Sequence, residues 1–194
     1  IDAFEEVISR NTMGNQEYRR HYFNFYEGTM TNYLSQATSR NSENDNLMVS
    51  FANKMEKNFS DQISENPYSV SNYLLLLRFY NISYYFDLSR LDRAINLANK
   101  AIALSPGRPQ VYYEAATSNY YLGNYFNAIN EKDKAQEQFQ LSLNLFYDGV
   151  IKNVNSSEAF NQLVGFLYSV KNNNNSDLFA EAITTEGYGN LQKI

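Results

Sequence analysis

His21 is the one histidine in 194 residues, and the chain has no cysteine. A Ser-His-Asp relay would have to be built on that imidazole. It sits beside Arg19 and Arg20 at the start of an aromatic helix pattern, where a partly exposed helix histidine is expected. Without cysteine there is no disulfide framework, no thiolate metal site and no thiol nucleophile. Only oxygen ligands remain for a metal, and no D-x-D-x-D-G loop supplies them. Glu131, Asp133 and Glu137 fall at a helix start, where carboxylates complement the dipole, and read as a solvated face. Glycoside hydrolysis needs two carboxylates held at a fixed separation across a cleft. Nothing in the spacing of the 21 acidic residues singles out such a pair. No glycine-rich loop is present to cradle a phosphate. The chain is expected to be no enzyme, with no catalytic residue, no cofactor and no bound metal.

Binding chemistry remains. Helical register puts Leu74, Arg78 and Asn81 on one face of a helix over Val70–Ser83. It puts Tyr113, Thr117, Tyr120 and Tyr121 on the matching face of a helix over Gln110–Leu122. Tyrosine and asparagine suit a peptide backbone, and tyrosine rings also stack on sugars. The alternative is that these tyrosines pack against neighbouring helices. If the face is a groove, Arg78 and Tyr113 are the residues expected to carry most binding energy.

The elements that must position these residues follow from periodicity. Asp2–Ile8 reads as a short helix, and Asn11–Asn15 as a turn, with Asn15 capping the next helix. Tyr18, Tyr22, Phe25 and Tyr26 give that helix one aromatic stripe, which Gly28 is expected to interrupt. Met30, Tyr33 and Leu34 resume it, and Thr38–Asn46 reads as a loop. Leu47, Phe51, Met55, Phe59 and Ile63 recur at four-residue spacing, an amphipathic helix that should stop before Pro67. From Val70 one helix-pair pattern appears two and a half times. Tyr73, Leu76, Leu77 and Tyr80 mark a first helix, and Leu91, Ala94, Ala98 and Ala101 a second over Ser89–Leu104. The small stripe permits close packing against the preceding helix. Tyr112, Ala115 and Ala116 open the next pair, with Gly123 at its turn and Tyr125–Asn130 an insertion. A long helix follows over Lys132–Lys152. Phe160, Leu163, Val164, Leu167 and Tyr168 mark another, the Asn172–Asn175 run a loop, Asp177–Ile183 a last short helix and Glu186–Ile194 a frayed tail. No segment alternates with the period of a half-buried strand. The expected fold is all-α, with seven to nine helices in successive antiparallel hairpins. Residues 1–66 form an N-terminal hairpin region, and residues 67–194 repeats with an irregular C-terminal helix, in one continuous solenoid.

Composition bounds the partners. Apolar residues are 43% of the chain, enough for a core. The 17 Tyr and 13 Phe, with no Trp, place aromatic rings at helix seams or groove walls. A net charge of -5 argues against nucleic acid and anionic membrane surfaces. No apolar run is long enough to span a bilayer. The absence of cysteine fits an extracytoplasmic location and chance alike. The chain begins at Ile1 without a signal-like segment, as expected of a processed chain or a piece of a larger one. Asparagine abundance reads as compositional bias, so sequons at Asn58, Asn81 and Asn155 are not taken as glycosylation sites.

Two resemblances add to this. Residues 67 to 170 resemble the tetratricopeptide repeat, most clearly in the helix Ser89–Leu104 and in the helix beginning near Gln110. Insertions near Tyr84 and Asn127, and Val154 where proline is usual, depart from it. That resemblance implies a solenoid presenting first helices as a binding surface. Near the start, Ala3-Phe4-Glu5-Glu6-Val7-Ile8 and the run Asn11 to Arg20 are similar to a segment of bacterial O-antigen ligase or polymerase-like membrane proteins. The turn Gly14-Asn15, followed by Glu17 and Arg19, carries the similarity over some twenty residues. It implies a tail of a membrane protein of cell-surface polysaccharide assembly, held at the membrane through a segment outside this chain, on the extracytoplasmic side, with the cytoplasmic side left open. Its function would be to bind a protein or peptide partner; the alternative is a glycan-binding module using the groove tyrosines. The membrane part is not in this chain, so no catalytic residue carries over.

Overall fold

The computed structural model describes Glu6 and residues 15–36, 42–152 and 161–165. Among the described residues the chain is all-α, without strands. Its helices are α1 (Asn15–Ser35), α2 (Ser42–Glu65), α3 (Val70–Ser83), α4 (Ser89–Leu104), α5 (Pro109–Ala128) and α6 (Lys132–Ile151). Residues 161–165 are also helical and place Leu163 in a core cluster. The other elements expected before Asn15 and after Lys152 lie outside the described residues. The chain divides into two compact units, Ile1–Leu88 and Ser89–Ile194. Pro67 lies in the short link that joins α2 to α3 within the first unit.

The first unit is built on rings. Phe51 of α2 meets Tyr22, Phe25 and Tyr26 of α1 at 5.7, 6.0 and 4.9 Å between centroids. Phe79 of α3 meets Tyr26 at 5.2 Å and Phe59 at 5.9 Å. Edge-on and tilted rings at these separations add to the area they bury. Two stripes differ from expectation. On α1 the buried side is Arg19, Tyr22, Phe23, Tyr26 and Met30, while Tyr18 and Phe25 face solvent. On α2, Met48, Phe51, Ala52, Met55, Phe59 and Gln62 are buried, while Leu47 is 63% exposed and Ile63 half-buried. A strict four-residue row turns by about 40° per step on a helix of 3.6 residues per turn. Its two ends therefore rotate out of the buried arc that its middle occupies. Arg19 closes one end of the unit with two hydrogen bonds to Glu65, at 3.0 and 3.3 Å.

Gly28 does not interrupt α1, which runs through it. The expected loop at Thr38–Asn46 is cut short by α2, which starts at Ser42 with Glu43 and Asp45 in its first turn, where carboxylates favour the dipole. The bounds of α3 and α4 agree with the sequence reading.

In the second unit α4 packs on α5 and α5 on α6. The small stripe Ala94, Ala98 and Ala101 is fully buried. Gly123 does not end α5; the helix continues to Ala128 and absorbs most of the expected insertion. A Cβ on Gly123 would stand 2.6 Å from Cε1 of Phe139 on α6. A Cβ on Gly149 of α6 would stand 2.9 Å from Cε1 of Tyr113 on α5. Between them Ser142 Oγ donates to the Ala116 carbonyl across the seam at 2.8 Å. Glycine here serves close helix approach, not a turn. The turn itself falls at Asn130, with φ of 64°. Glu131 N donates to Phe126 O and Asn130 N to Asn127 O, a Schellman closure with asparagine where glycine is usual.

The two units contain one hairpin each of the same design. Tyr73 and Tyr112 lie 39 residues apart, as do Pro67 and Pro106. Every buried position between 51 and 83 has a buried position 39 residues later, and none in 90–122 is unmatched. The connections match too. Asn66 N, Ser69 N and Asn72 N donate to Gln62, Asn66 and Ser69 carbonyls; Ser105 N, Arg108 N and Val111 N donate to Ala101, Ser105 and Arg108 carbonyls. Tyr73 Oη donates to Pro67 O at 3.0 Å, and Tyr112 Oη to Pro106 O at 2.9 Å. Each ring is buried with a hydroxyl that needs an acceptor, and the loop carbonyl supplies it.

Two stability outcomes follow. Gly28→Ala adds a methyl in open space on a helix and should stabilise by about 0.5–1 kcal/mol; Gly123→Ala should instead destabilise by about 1–3 kcal/mol from overpacking. Thermal melts of the two variants should move in opposite directions; a shared direction refutes the close seam. Ala98→Leu, at a fully buried position on α4, should cost about 1–3 kcal/mol, and a melt coincident with the parent would show that site to be open.

Candidate functional site

The exposed surfaces of α3 and α5 are the places where the sequence puts a binding face. On α3 only Val70, Ser71, Leu75, Arg78 and Ile82 are not buried. On α5, up to Asn124, the positions that are not buried are Pro109, Gln110, Glu114, Thr117, Tyr121 and Asn124. Each set is one stripe at three- and four-residue steps, and Ser71, Leu75, Arg78 and Ile82 correspond to Gln110, Glu114, Thr117 and Tyr121 at the 39-residue offset.

The expected groove residues divide between these stripes and the core. Arg78 is exposed on its stripe, and Thr117 and Tyr121 are half-buried on theirs. Thr117 Oγ1 donates back to the Tyr113 carbonyl at 2.8 Å. Asn81 and Leu74 are buried in the first unit. Tyr113 is 7% exposed: it stacks on Phe146 at 5.8 Å, in a cluster with Ala116, Val150 and Leu163. Tyr120 is 9% exposed and packs on Phe139 at 5.9 Å, with Ala135 and Leu143. Tyr121 sits at the edge of that same cluster, 6.0 Å from Tyr120. Of the residues expected on the face, Leu74, Asn81, Tyr113 and Tyr120 are thus buried. The α6 seam and the aromatic core take up side chains that the register alone would send to a groove.

His21 is a half-exposed helix residue whose Nε2 lies 3.7 Å from Glu17 Oε1, one turn before it. Among the described residues no three histidine, aspartate or glutamate side chains gather at metal-binding distance. Among them, too, no helix is long and apolar enough to cross a membrane. Glu131, Asp133 and Glu137 are exposed. Glu131 and Asp133 line an open depression of about 550 Å³ together with Asn130, Lys132 and Lys134. The Glu131 carboxylate pairs with Lys134 and, by that hydrogen bond, raises the lysine pKa.

Sequence reading missed one connection. Lys152 Nζ reaches Tyr112 Oη at 3.0 Å and Asp148 at 3.4 Å. Hydrogen bonding to Tyr112, ahead of the Asp148 charge, raises the lysine pKa. With the bond from Tyr112 to Pro106 this ties the end of α6 to the loop before α5. Tyr112 and Lys152 are 40 residues apart, and no local spacing signals the pair.

Core and stripe positions should separate by stability. Tyr113→Ala should cost about 3–5 kcal/mol, as large buried rings do; Thr117→Ala should stay within about 0.5 kcal/mol. Denaturant midpoints check this, and equal shifts would return Tyr113 to the surface. No family model, curated protein or solved structure matches this chain, so what its surface binds is argued from its own side chains.

Proposed function

We propose that this chain is a non-catalytic helical-repeat module of the tetratricopeptide type that binds an extended peptide of a protein partner. The observation that supports it is the duplicated hairpin, in which the same positions are buried and the same stripe of the first helix is left accessible. Repeats of this kind bury their apolar faces on their neighbours and use the remaining stripe for recognition. The stripe chemistry changes from copy to copy, with Arg78 against Thr117 and Ile82 against Tyr121. Each stripe therefore offers a partner a different set of contacts. Aromatic and arginine side chains carry most energy at such contacts, which points to Arg78 and Tyr121.

The wider setting in this reading is the tail of a membrane protein of cell-surface polysaccharide assembly. It rests on the likeness of residues 3–20 to that family. An antibody to this chain, applied to fractionated cells, should find the antigen in the membrane fraction at a mass well above 22.5 kDa. Recovery as a free chain of that mass would overturn the setting and leave the peptide reading intact.

Peptide selection by display on the folded chain tests the module itself. Selected peptides should bind Arg78→Ala and Tyr121→Ala at least ten-fold more weakly, with melts unchanged. Selection of nothing, or of peptides indifferent to both substitutions, would refute the reading.

A further inference from the structure

We propose that the chain carries two sugar-stacking platforms, Tyr85 with Asp87 and Tyr125 with Asn127, for an uncharged pyranose chain. The buried Tyr113 and Tyr120 have no free ring face to offer. Exposed tyrosines lie elsewhere, and two of them share a local sequence pattern, one in the turn after α3 and one in the last turn of α5. The sequence after α3 reads Tyr85-Phe86-Asp87; the end of α5 reads Tyr125-Phe126-Asn127. In both, the tyrosine is exposed, at 60% and 38%, and the following phenylalanine is half-buried.

Each phenylalanine anchors its platform. Phe86 lies 6.4 Å from Tyr33, whose hydroxyl donates to Asp45. Phe126 packs on the Tyr120–Phe139 cluster, with Lys134 Nζ 5.4 Å from its ring centre. The backbone is fixed as well. Phe86 N donates to Ser83 O and Asp87 N to Tyr84 O, while Phe126 O accepts from Glu131 N at the helix end. Tyr85 is further held by stacking on Tyr84 at 4.4 Å. An exposed ring held in place costs little entropy when it is covered.

The chemistry that fits is a pyranose ring. Its axial C–H groups present a weakly positive apolar face to the negative face of the phenol. Its hydroxyl rim supplies donors, and a carboxylate or side-chain amide two residues from the tyrosine can accept them, since such oxygens take more than one hydrogen bond. A prolyl segment also stacks on tyrosine but has no N–H to give that acceptor. Asp87 beside the first platform, and a net charge of -5 on the chain, disfavour acidic sugars. The proposal does not rest on the peptide reading, since neither Arg78 nor Tyr121 takes part.

Saturation-transfer NMR with maltohexaose and with chitohexaose, each at millimolar concentration, tests it. Irradiating the tyrosine resonances should transfer saturation to sugar ring protons of at least one probe. Transfer should fall about two-fold in Tyr85→Ala or Tyr125→Ala and at least five-fold in the double variant. It should persist in Tyr85→Phe/Tyr125→Phe, which keeps the ring faces, and in Tyr68→Ala, an exposed tyrosine outside the motif. The proposal is overturned by no transfer to either sugar, by transfer that survives the double alanine variant, or by a decaproline peptide responding where both sugars fail.

Discussion

Two helices that approach closely enough to exclude a methyl group set the terms for the second unit. Gly123 lies under the ring of Phe139, and Gly149 against Tyr113. A hydroxyl-to-carbonyl bond from Ser142 to Ala116 crosses the seam between them. Interiors packed to this density do not absorb an added carbon without a shift elsewhere. The seam also decides which aromatic residues remain available. Tyr113 and Tyr120 sit opposite Phe146 and Phe139 and are drawn into the core. Asn130 in the left-handed region closes the return from α5 to α6.

The first unit meets the same requirement with bulk instead of closeness. Its α2 carries Met55, Phe59 and Gln62 where α4 carries Ala94, Ala98 and Ala101, all buried. Phe51 stands where Arg90 stands, again both buried. The pattern of burial is conserved between the copies while the volumes are redistributed. That is what a helical hairpin tolerates when total volume and patterning are kept. Few positions are identical, and two of the identical pairs have a structural reason. Pro67 and Pro106 end a helix, and Tyr73 and Tyr112 return a hydrogen bond to the proline carbonyl.

Tyrosine consequently works in two ways in this chain. Tyr73, Tyr80 and Tyr112 bury the ring and direct the hydroxyl to a backbone carbonyl or to Glu56. Tyr68, Tyr85 and Tyr125 leave the ring in water. An amphipathic ring permits both uses at little cost. The tyrosine rings that stay accessible are therefore scattered singly and do not form a broad tyrosine-lined face.

The sequence by itself determined where helices begin and end wherever the signal is local. Pro67 bounds α2, and the bounds Val70–Ser83 and Ser89–Leu104 could be read from spacing alone. The alignment of Tyr73, Leu76 and Leu77 with Tyr112, Ala115 and Ala116 already held the 39-residue offset. Tertiary structure decided the meaning of residues whose type permits two outcomes. Gly28 and Gly123 both interrupt a helical pattern, yet neither breaks its helix, and only the ring of Phe139 gives Gly123 a purpose. Thr117 and Tyr113 occupy neighbouring turns of α5, yet one is on the surface and the other in the core. The helical step fixes the direction of each side chain relative to its neighbours. Which direction is covered depends on a helix that arrives from thirty residues away, and no local pattern encodes its approach.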